Sequence, residues 1–486
     1  MLLIDIDYKS KIPIFKQIVT HIQNMIENGI LQSGDKIPST RLLAKQLGLN
    51  RNTVFKAYEE LWALGYIESK SGSYSTVRKR IVSVDSKQTS EKNLFSWQEK
   101  ITQKALELVS ENKTKNDLFP GLINFTPLSP DPEIIPADDY RKCINDILRF
   151  KSKDLFLYGS PSGYLPLREF VAKHMHMHSV QVNYSEVVIT NGAQNAIELI
   201  FKLLLNPGDA VIIEKPTYSA IIPLLKQYQA TVYEVPVKEN GLDLAVLQSY
   251  LESKRIKLLY IMPNFQNPTG VTTDQSHREK LMDLCNTYNV PVIEDGFVEE
   301  MKYFGKNILP VKSMDKKGLV FYTGTFSKVL FPGLRLGWIA SNEYCTNRFA
   351  ELIKSSEISG NMLDQAALEL FCSKGYYEMQ LKRVHKVYKK RMFTALKTLR
   401  ENLNAPQVNY TKPIGGYTIW FEINHGIITE DDVIKRLHNK GVMVTPGSLS
   451  FFSKSEKISF RISIAHCNEQ QIEQGIKIIS KVLNSL

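Results

Sequence analysis

From about residue 118 to residue 486, short β-branched and aliphatic runs alternate with helical stretches, and several of the runs break off into glycine or polar residues. Val187–Ile189 leads to Asn191-Gly192-Ala193-Gln194, and Ala210–Ile213 leads to Glu214-Lys215-Pro216-Thr217-Tyr218. Leu258–Met262 leads to Pro263-Asn264-Phe265-Gln266-Asn267-Pro268-Thr269-Gly270, and Val290–Ile293 to Glu294-Asp295. Leu319–Tyr322 runs into a bend that carries Lys328. Alternation of this kind predicts an α/β fold around a mostly parallel sheet. Ligands of such sheets collect at the carboxyl ends of the strands, and the unusual polar residues of this chain fall there.

The stretch 323–337 reads Thr-Gly-Thr-Phe-Ser-Lys-Val-Leu-Phe-Pro-Gly-Leu-Arg-Leu-Gly. A lysine amine forms a Schiff base with an aldehyde, and nearby hydroxyls with the Arg335 guanidinium suit a phosphate. Backbone N–H groups eased by Gly192 at a helix start favour the same anion, and Tyr218 is placed to stack on a flat ring. Taken singly these features are ordinary: Asn-Pro-Thr-Gly is a common turn, and a strand-end aspartate is often a helix cap. Together, an acid for a pyridinium nitrogen, a stacking ring, phosphate donors and an aldehyde-trapping lysine meet the needs of pyridoxal 5′-phosphate.

The first eighty residues are built differently. Apolar residues at 14, 15, 18, 22, 25 and 26 predict an amphipathic helix over Pro13–Asn28 that ends at Gly29. A second helix starts at Pro38-Ser39, with Ser39 as N-cap, with Leu42, Leu43 and Leu47 inward, and with Gly48 as its stop. Asn50 caps a third, whose buried stripe is 54, 57, 58, 61 and 64, leaving Arg51, Asn52, Thr53 and Lys56 at its exposed tip. Two short helices and a tight turn form a helix-turn-helix, whose second helix sets its N-terminal residues against base edges. Tyr66–Val77 is expected to be a hairpin wing turning at Lys70-Ser71-Gly72. Residues 1–80 hold 12 Lys/Arg against 7 Asp/Glu, or 12 − 7 = +5 of the chain's +11, a balance suited to nucleic acid without proving it.

The run Pro38–Ile67 closely resembles the winged-helix domain of GntR-type regulators. That resemblance implies base and phosphate contacts for Arg41 and Arg51, a recognition-helix role for Thr53 beside Asn52, and a wing-tip role for Gly72. Tyr74 and Thr76 depart from the family's wing, where a glycine and an aromatic are usual. Residues 118–486 resemble a fold-type I aminotransferase of the aspartate aminotransferase class. There Lys328 matches the Schiff-base lysine, Asp295 the pyridine-nitrogen partner, Asn267 the asparagine at the 3′ oxygen, and Tyr218 the stacking ring. Ala193, Gln194, Thr325 and Arg335 match phosphate-binding positions. Tyr158 matches a tyrosine that reaches the neighbouring subunit's phosphate, implying a homodimer, and Arg461 matches the arginine that clamps an α-carboxylate. The tyrosine usual two or three residues after the aspartate is absent, and Phe297 and Val298 stand there.

Both halves together resemble the MocR subfamily of GntR-type bacterial regulators. The resemblance implies a winged helix-turn-helix at 1–80, a linker at 81–117 with a helical piece near 97–109, and a pyridoxal-phosphate-binding domain at 118–486. Its large subdomain spans about 165–365 and its small one mainly 366–486. The expected partners are operator DNA and a small effector, either an amine, an amino acid or the cofactor itself. Two rivals remain at this stage: a working aminotransferase with an accessory DNA-binding domain, and a repressor whose large domain only dimerises. No run approaches the ~18 apolar residues of a membrane helix, and five scattered cysteines fit reduced thiols in a cytoplasm. His174, His176 and His178 invite a metal assignment, but only His174 and His178 share a helix face. No cysteine or acid cluster accompanies them in sequence, so no metal is expected.

Overall fold

Ser39 and Asn50 start the two short helices as their residue types require. In the computed structural model, which describes residues 4–70, 74–78, 100–102, 119–150, 153–305, 308–424, 426, 428–455 and 457–486, Ser39 Oγ accepts the Leu42 N–H at 3.2 Å and Asn50 Oδ1 accepts the Asn52 N–H at 2.9 Å. The helices are α1 (Ile14–Glu27), α2 (Thr40–Leu47) and α3 (Arg51–Ala63). Gly48 ends α2 at φ +66°, a left-handed conformation that glycine adopts without strain. Strands β1 (Lys36–Ile37), β2 (Ile67–Lys70) and β3 (Tyr74–Val77) form an antiparallel sheet in the order β1-β3-β2. Ile18, Ile22, Leu43, Val54, Tyr58 and Leu61 make its core. The Tyr58 O–H donates to Pro38 O at 2.7 Å and ties α3 to the start of α2.

Two inward expectations fail here: Leu42 is 51% and Leu64 47% exposed. An eight-residue helix buries one stripe, taken by Leu43 and Ala44. Leu42 lies on the other side of Leu43 from Ala44, about two hundred degrees around the helix from it and so outside that arc. The helical piece expected near 97–109 lies outside the described residues, apart from 100–102. The chain divides into two compact units, Met1–Ile101 and Thr102–Leu486.

In the larger unit eight strands form one sheet. Their order is Val187–Thr190, Gly337–Ala340, Val320–Thr325, Val292–Asp295, Ile256–Ile261, Ala210–Lys215, Thr231–Lys238 and Gly241–Leu242. The five from Val320–Thr325 to Thr231–Lys238 are parallel neighbours, as expected. The sheet is nonetheless mixed, because Gly337–Ala340 runs antiparallel to both of its neighbours. The connection from Thr325 to Gly337 is too short for a crossover helix, so the chain returns antiparallel. All residues of Val187–Thr190, Val292–Asp295 and Val320–Thr325 are buried, so both faces of each strand open on apolar residues (Val-Val-Ile, Val-Ile, Val-Phe-Tyr) and polar ones come only toward the carboxyl ends.

A second, antiparallel sheet of Val408–Tyr410, Thr418–Ile423, Ile458–Ser463 and Thr445–Pro446 carries Arg461. The helices Tyr376–Asn402 and Glu469–Asn484 pack against each other beyond it. Among the described residues no helix is long and apolar enough to cross a membrane. All five cysteines are free.

Candidate functional site

Parallel pairing sets the carboxyl ends of adjacent strands side by side, so Asp295, the last residue of its strand, and Lys328, just beyond Thr325, emerge at one edge of the sheet. The Tyr417 O–H donates to Lys328 O at 2.8 Å and fixes the backbone at the bend. The Lys328 amine lies 5.2 Å from the centre of the Phe297 ring. Burial pushes the amine down to about 8, and Arg461 and Arg335 add to the shift against the opposing pull of Asp295. A substantial share of the amine is therefore neutral near physiological pH, the nucleophilic form.

Asp295 is 3% exposed. Its Oδ2 accepts the Tyr260 O–H at 2.8 Å, while Oδ1 is buried with no partner. Burial raises the carboxyl to about 6, and the Tyr260 bond and the Lys328 charge hold it from rising further. At neutral pH this is an anion with one uncommitted oxygen, which suits a protonated ring nitrogen. The Tyr218 phenol is pushed up to about 12, first by burial and then by Asp295, against Arg335 and Arg461. It therefore stands in the field of the same charged groups.

A cradle lies at the start of the helix Ala193–Leu204, whose N-cap Gly192 has φ +88°. Arg335 Nη2 donates to Asn191 O at 3.0 Å. A Cβ on Gly192 would sit 2.9 Å from that Nη2, and one on Gly337 would sit 3.0 Å from Ala193 N. Only glycine permits such close approach. Two buried oxygens at these strand and helix ends lack partners, Ser327 Oγ and Gln194 Oε1, and Thr325 Oγ1 accepts the Ser327 N–H at 3.2 Å. A buried hydroxyl left alone costs about 1–3 kcal/mol. Helix-start N–H groups, a guanidinium and the free Ser327 hydroxyl fit a phosphate, whereas Gln194 Oε1 is an acceptor only and leaves Gln194 its backbone N–H for that role.

Arg461 is 7% exposed. Its Nη1 donates to Asn267 Oδ1 at 3.2 Å, its Nη2 to Thr126 O at 2.7 Å and to Thr445 Oγ1 at 2.8 Å, and its Nε has no partner. Burial lowers it to about 10, so it remains a cation at neutral pH. Its partners are all neutral oxygens. A buried guanidinium without a counter-anion is costly, and a ligand carboxylate would relieve that cost.

Tyr158 is 79% exposed, beside Phe156 at 65% and Leu157 at 67%. His174 and His178 do converge, and the structure adds the acid that sequence reading did not find beside them, Glu300. The donor atoms of the three lie within 4.8 Å of one another. His174 Nε2 is hydrogen-bonded to Glu300 Oε1 at 3.2 Å, and the Tyr377 O–H donates to the same oxygen at 3.2 Å. His176 stands apart, on Val182 O at 2.7 Å.

In the smaller unit Arg41, Arg51 and Asn52 are exposed in the first turns of α2 and α3, and Thr53 is half-buried. Lys56 lies 4.3 Å from the Phe15 ring centre and Lys36 4.8 Å from that of the exposed Tyr74. Gly72 lies outside the described residues. Sequence reading missed Tyr260, Ser327, Tyr417, Thr126 and Thr445. Only Tyr260 carried a signal, a phenol inside the apolar run Leu258–Met262.

Residues 130–479 match the family described as aminotransferase class I and II, and residues 15–77 match the bacterial regulatory proteins of the gntR family. The "Uncharacterized HTH-type transcriptional regulator YdfD" of Bacillus subtilis is 28% identical over 483 residues, covering 98% of this chain and 97% of the relative. The "Probable rhizopine catabolism regulatory protein MocR" of Rhizobium meliloti is 25% identical over 488 residues, covering 100% and 96%. The solved structure of LysN, an α-aminoadipate aminotransferase of Thermus thermophilus complexed with N-(5′-phosphopyridoxyl)-L-leucine, is similar with a TM-score of 0.72 and 28% identity. It covers 80% of this chain and 99% of its own.

Proposed function

The chain belongs to the aminotransferase class I and II family and carries a gntR-family regulatory domain ahead of it, and on that premise we propose that it is a transcriptional regulator of the MocR type that works with pyridoxal 5′-phosphate. The observation that carries the cofactor is the unpartnered Asp295 Oδ1 at the strand end next to Lys328. Lys328 would hold the aldehyde carbon through its amine, Asp295 the ring nitrogen, and Tyr218 the ring face. Ala193, Gln194, Thr325 and Arg335 would hold the phosphate. When bound, the cofactor supplies an electrophilic carbon that captures amines and a ring that withdraws electrons.

Arg461, a buried cation among neutral oxygens, favours an effector that bears a carboxylate, an amino acid before a simple amine. An effector that competes with Lys328 for the aldehyde carbon changes what the Lys328 amine, Asp295 and Arg461 touch. It alters DNA binding only as far as it stabilises one arrangement of the chain over another. The exposed Phe156, Leu157 and Tyr158 support a homodimer, since a contiguous apolar stretch of this kind marks a protein surface that is covered. The DNA face is the exposed Arg41, Arg51 and Asn52 with the half-buried Thr53, joined by Gly72 on the strength of the sequence resemblance alone, and the protein acts in the cytoplasm, where the chromosome is.

The test is operator affinity of the cofactor-loaded full chain, with and without a panel of amino acids and amines. A change of at least about tenfold (1.4 kcal/mol) with one effector supports sensing. Steep loss of affinity with salt is expected, because phosphate contacts release counterions. Rapid conversion of amino acid to 2-oxo acid, near ~1 s⁻¹ or above, with no change in DNA binding would instead make the protein a working aminotransferase.

A further inference from the structure

Tyr260 is fully buried in the middle of the central sheet, within Leu258-Leu259-Tyr260-Ile261-Met262. Its strand lies parallel beside Val292–Asp295, with Tyr260 level with Ile293. Residues level across a ladder project to the same face, and so do residues two apart on one strand. Tyr260 therefore shares a face with Asp295, one pleat behind it. A phenol spans that step, and its O–H reaches Asp295 Oδ2 at 2.8 Å. Burial and the Asp295 charge hold the Tyr260 phenol well above its ordinary range, so it remains a donor at any working pH.

Burial by itself drives Asp295 toward the neutral acid, which could not pair with a cationic ring nitrogen. The Tyr260 bond is the foremost influence against that drift, ahead of the Lys328 charge. It also selects the oxygen: with Oδ2 taken, Oδ1 is the atom left without a partner. We propose that Tyr260 is a positioning residue, whose O–H holds Asp295 turned so that Oδ1 is the oxygen offered to the cofactor. The proposal rests on reading the strand ends at Asp295 and Lys328 as a pyridoxal phosphate site. It matters more in this chain because Phe297, where the family usually has a tyrosine, brings no O–H to the cofactor.

The experiment titrates full-length protein with pyridoxal 5′-phosphate across the neutral and acid range, following the visible absorbance of bound cofactor. Tyr260→Phe keeps the ring and removes only the donor. Expected is about a tenfold loss of cofactor affinity at neutral pH, from one lost hydrogen bond to a charged group. Removing a bond that favours the carboxylate raises the Asp295 pKa, so binding falls away at a higher pH as the solution is acidified, by about one unit. A merely structural role would lower the melting temperature of the cofactor-free protein and leave that acid limb in place. Affinity within twofold of the parent and an unmoved limb overturn the proposal.

Asp295→Asn, run alongside, separates the two levels of inference. If it abolishes binding while Tyr260→Phe does nothing, Tyr260 loses its role and the cofactor reading stands. If both bind normally, the cofactor reading itself falls. In the double variant Tyr260→Phe should cost nothing further, and a repeated tenfold loss would show that the tyrosine acts through packing, which also overturns the proposal.

Discussion

Arg41 and Arg51 stand in open solvent at the first turns of α2 and α3, whereas burial has moved the protonation of Arg461, Asp295 and Lys328. The contrast follows from the ligand. A duplex brings a dense row of phosphates and a counterion atmosphere, so exposed arginines stay solvated until the moment of binding and gain from counterion release. A small cofactor cannot reorganise a protein interior, so its partners must be in place beforehand. In the larger unit Asp295 Oδ1, Ser327 Oγ and Arg461 Nε are buried without partners, as the proposed cofactor contacts of the first two and the proposed effector contact of the third require. Substitutions in the first set should act on DNA affinity alone, while those in the second should be coupled to one another.

The largest expected effect is that of Lys328→Ala. Cofactor retention after dialysis should fall by two orders of magnitude or more, on the order of 3 kcal/mol, and effector response should vanish. Operator binding without effector should survive. A variant that keeps its effector response would overturn sensing through Lys328. Next, Arg51→Ala should cost ~1–3 kcal/mol of operator affinity in a gel-shift titration if it contacts a base, with the cofactor spectrum unchanged.

A smaller effect concerns pH. With its pKa lowered to about 8, the neutral fraction of Lys328 rises about tenfold between pH 7 and pH 9 and then levels off. Stopped-flow cofactor capture should follow that curve. A rate still climbing toward the pH of an ordinary lysine would show that the amine is not desolvated as the cleft implies. The smallest change is expected from Ser39→Ala, which removes the cap of α2. It should lower the stability of the smaller unit by about 1 kcal/mol, read as a shift in its melting transition with cofactor affinity untouched.

The helices of the smaller unit were legible because their signals are local. Ser39, Gly48 and Asn50 act within one turn of their own positions, and all three behave as their residue types require. Leu42 and Leu64 were misjudged because apolar character does not tell which arc of a short helix meets a neighbour. In the larger unit the strand ends were legible for the same reason, through glycine and polar residues that interrupt apolar runs. Which of those ends touch was not. Tyr260 and Asp295 are 35 residues apart, and Arg461 and Asn267 are 194 apart. No spacing rule links either pair: sheet order brings the first together, and the second joins a loop beyond Ile256–Ile261 to a strand of a different sheet. The antiparallel entry of Gly337–Ala340 was hidden likewise, because strand direction is set by the length and route of a connection and not by the strand's own residues.

Local signals sufficed for the two kinds of building, a capped helical unit and an alternating α/β unit, and for singling out Lys328, Asp295, Arg41, Arg51 and Arg461 as candidates. These follow from backbone propensity, periodicity and side-chain type, all of which act over a few residues. Which oxygen of Asp295 is free, what holds Arg461, and the closing of Glu300 on His174 came only with the folded chain. Those outcomes depend on contacts between distant segments. There, burial removes water, and the identity of the replacing partner sets both charge and orientation.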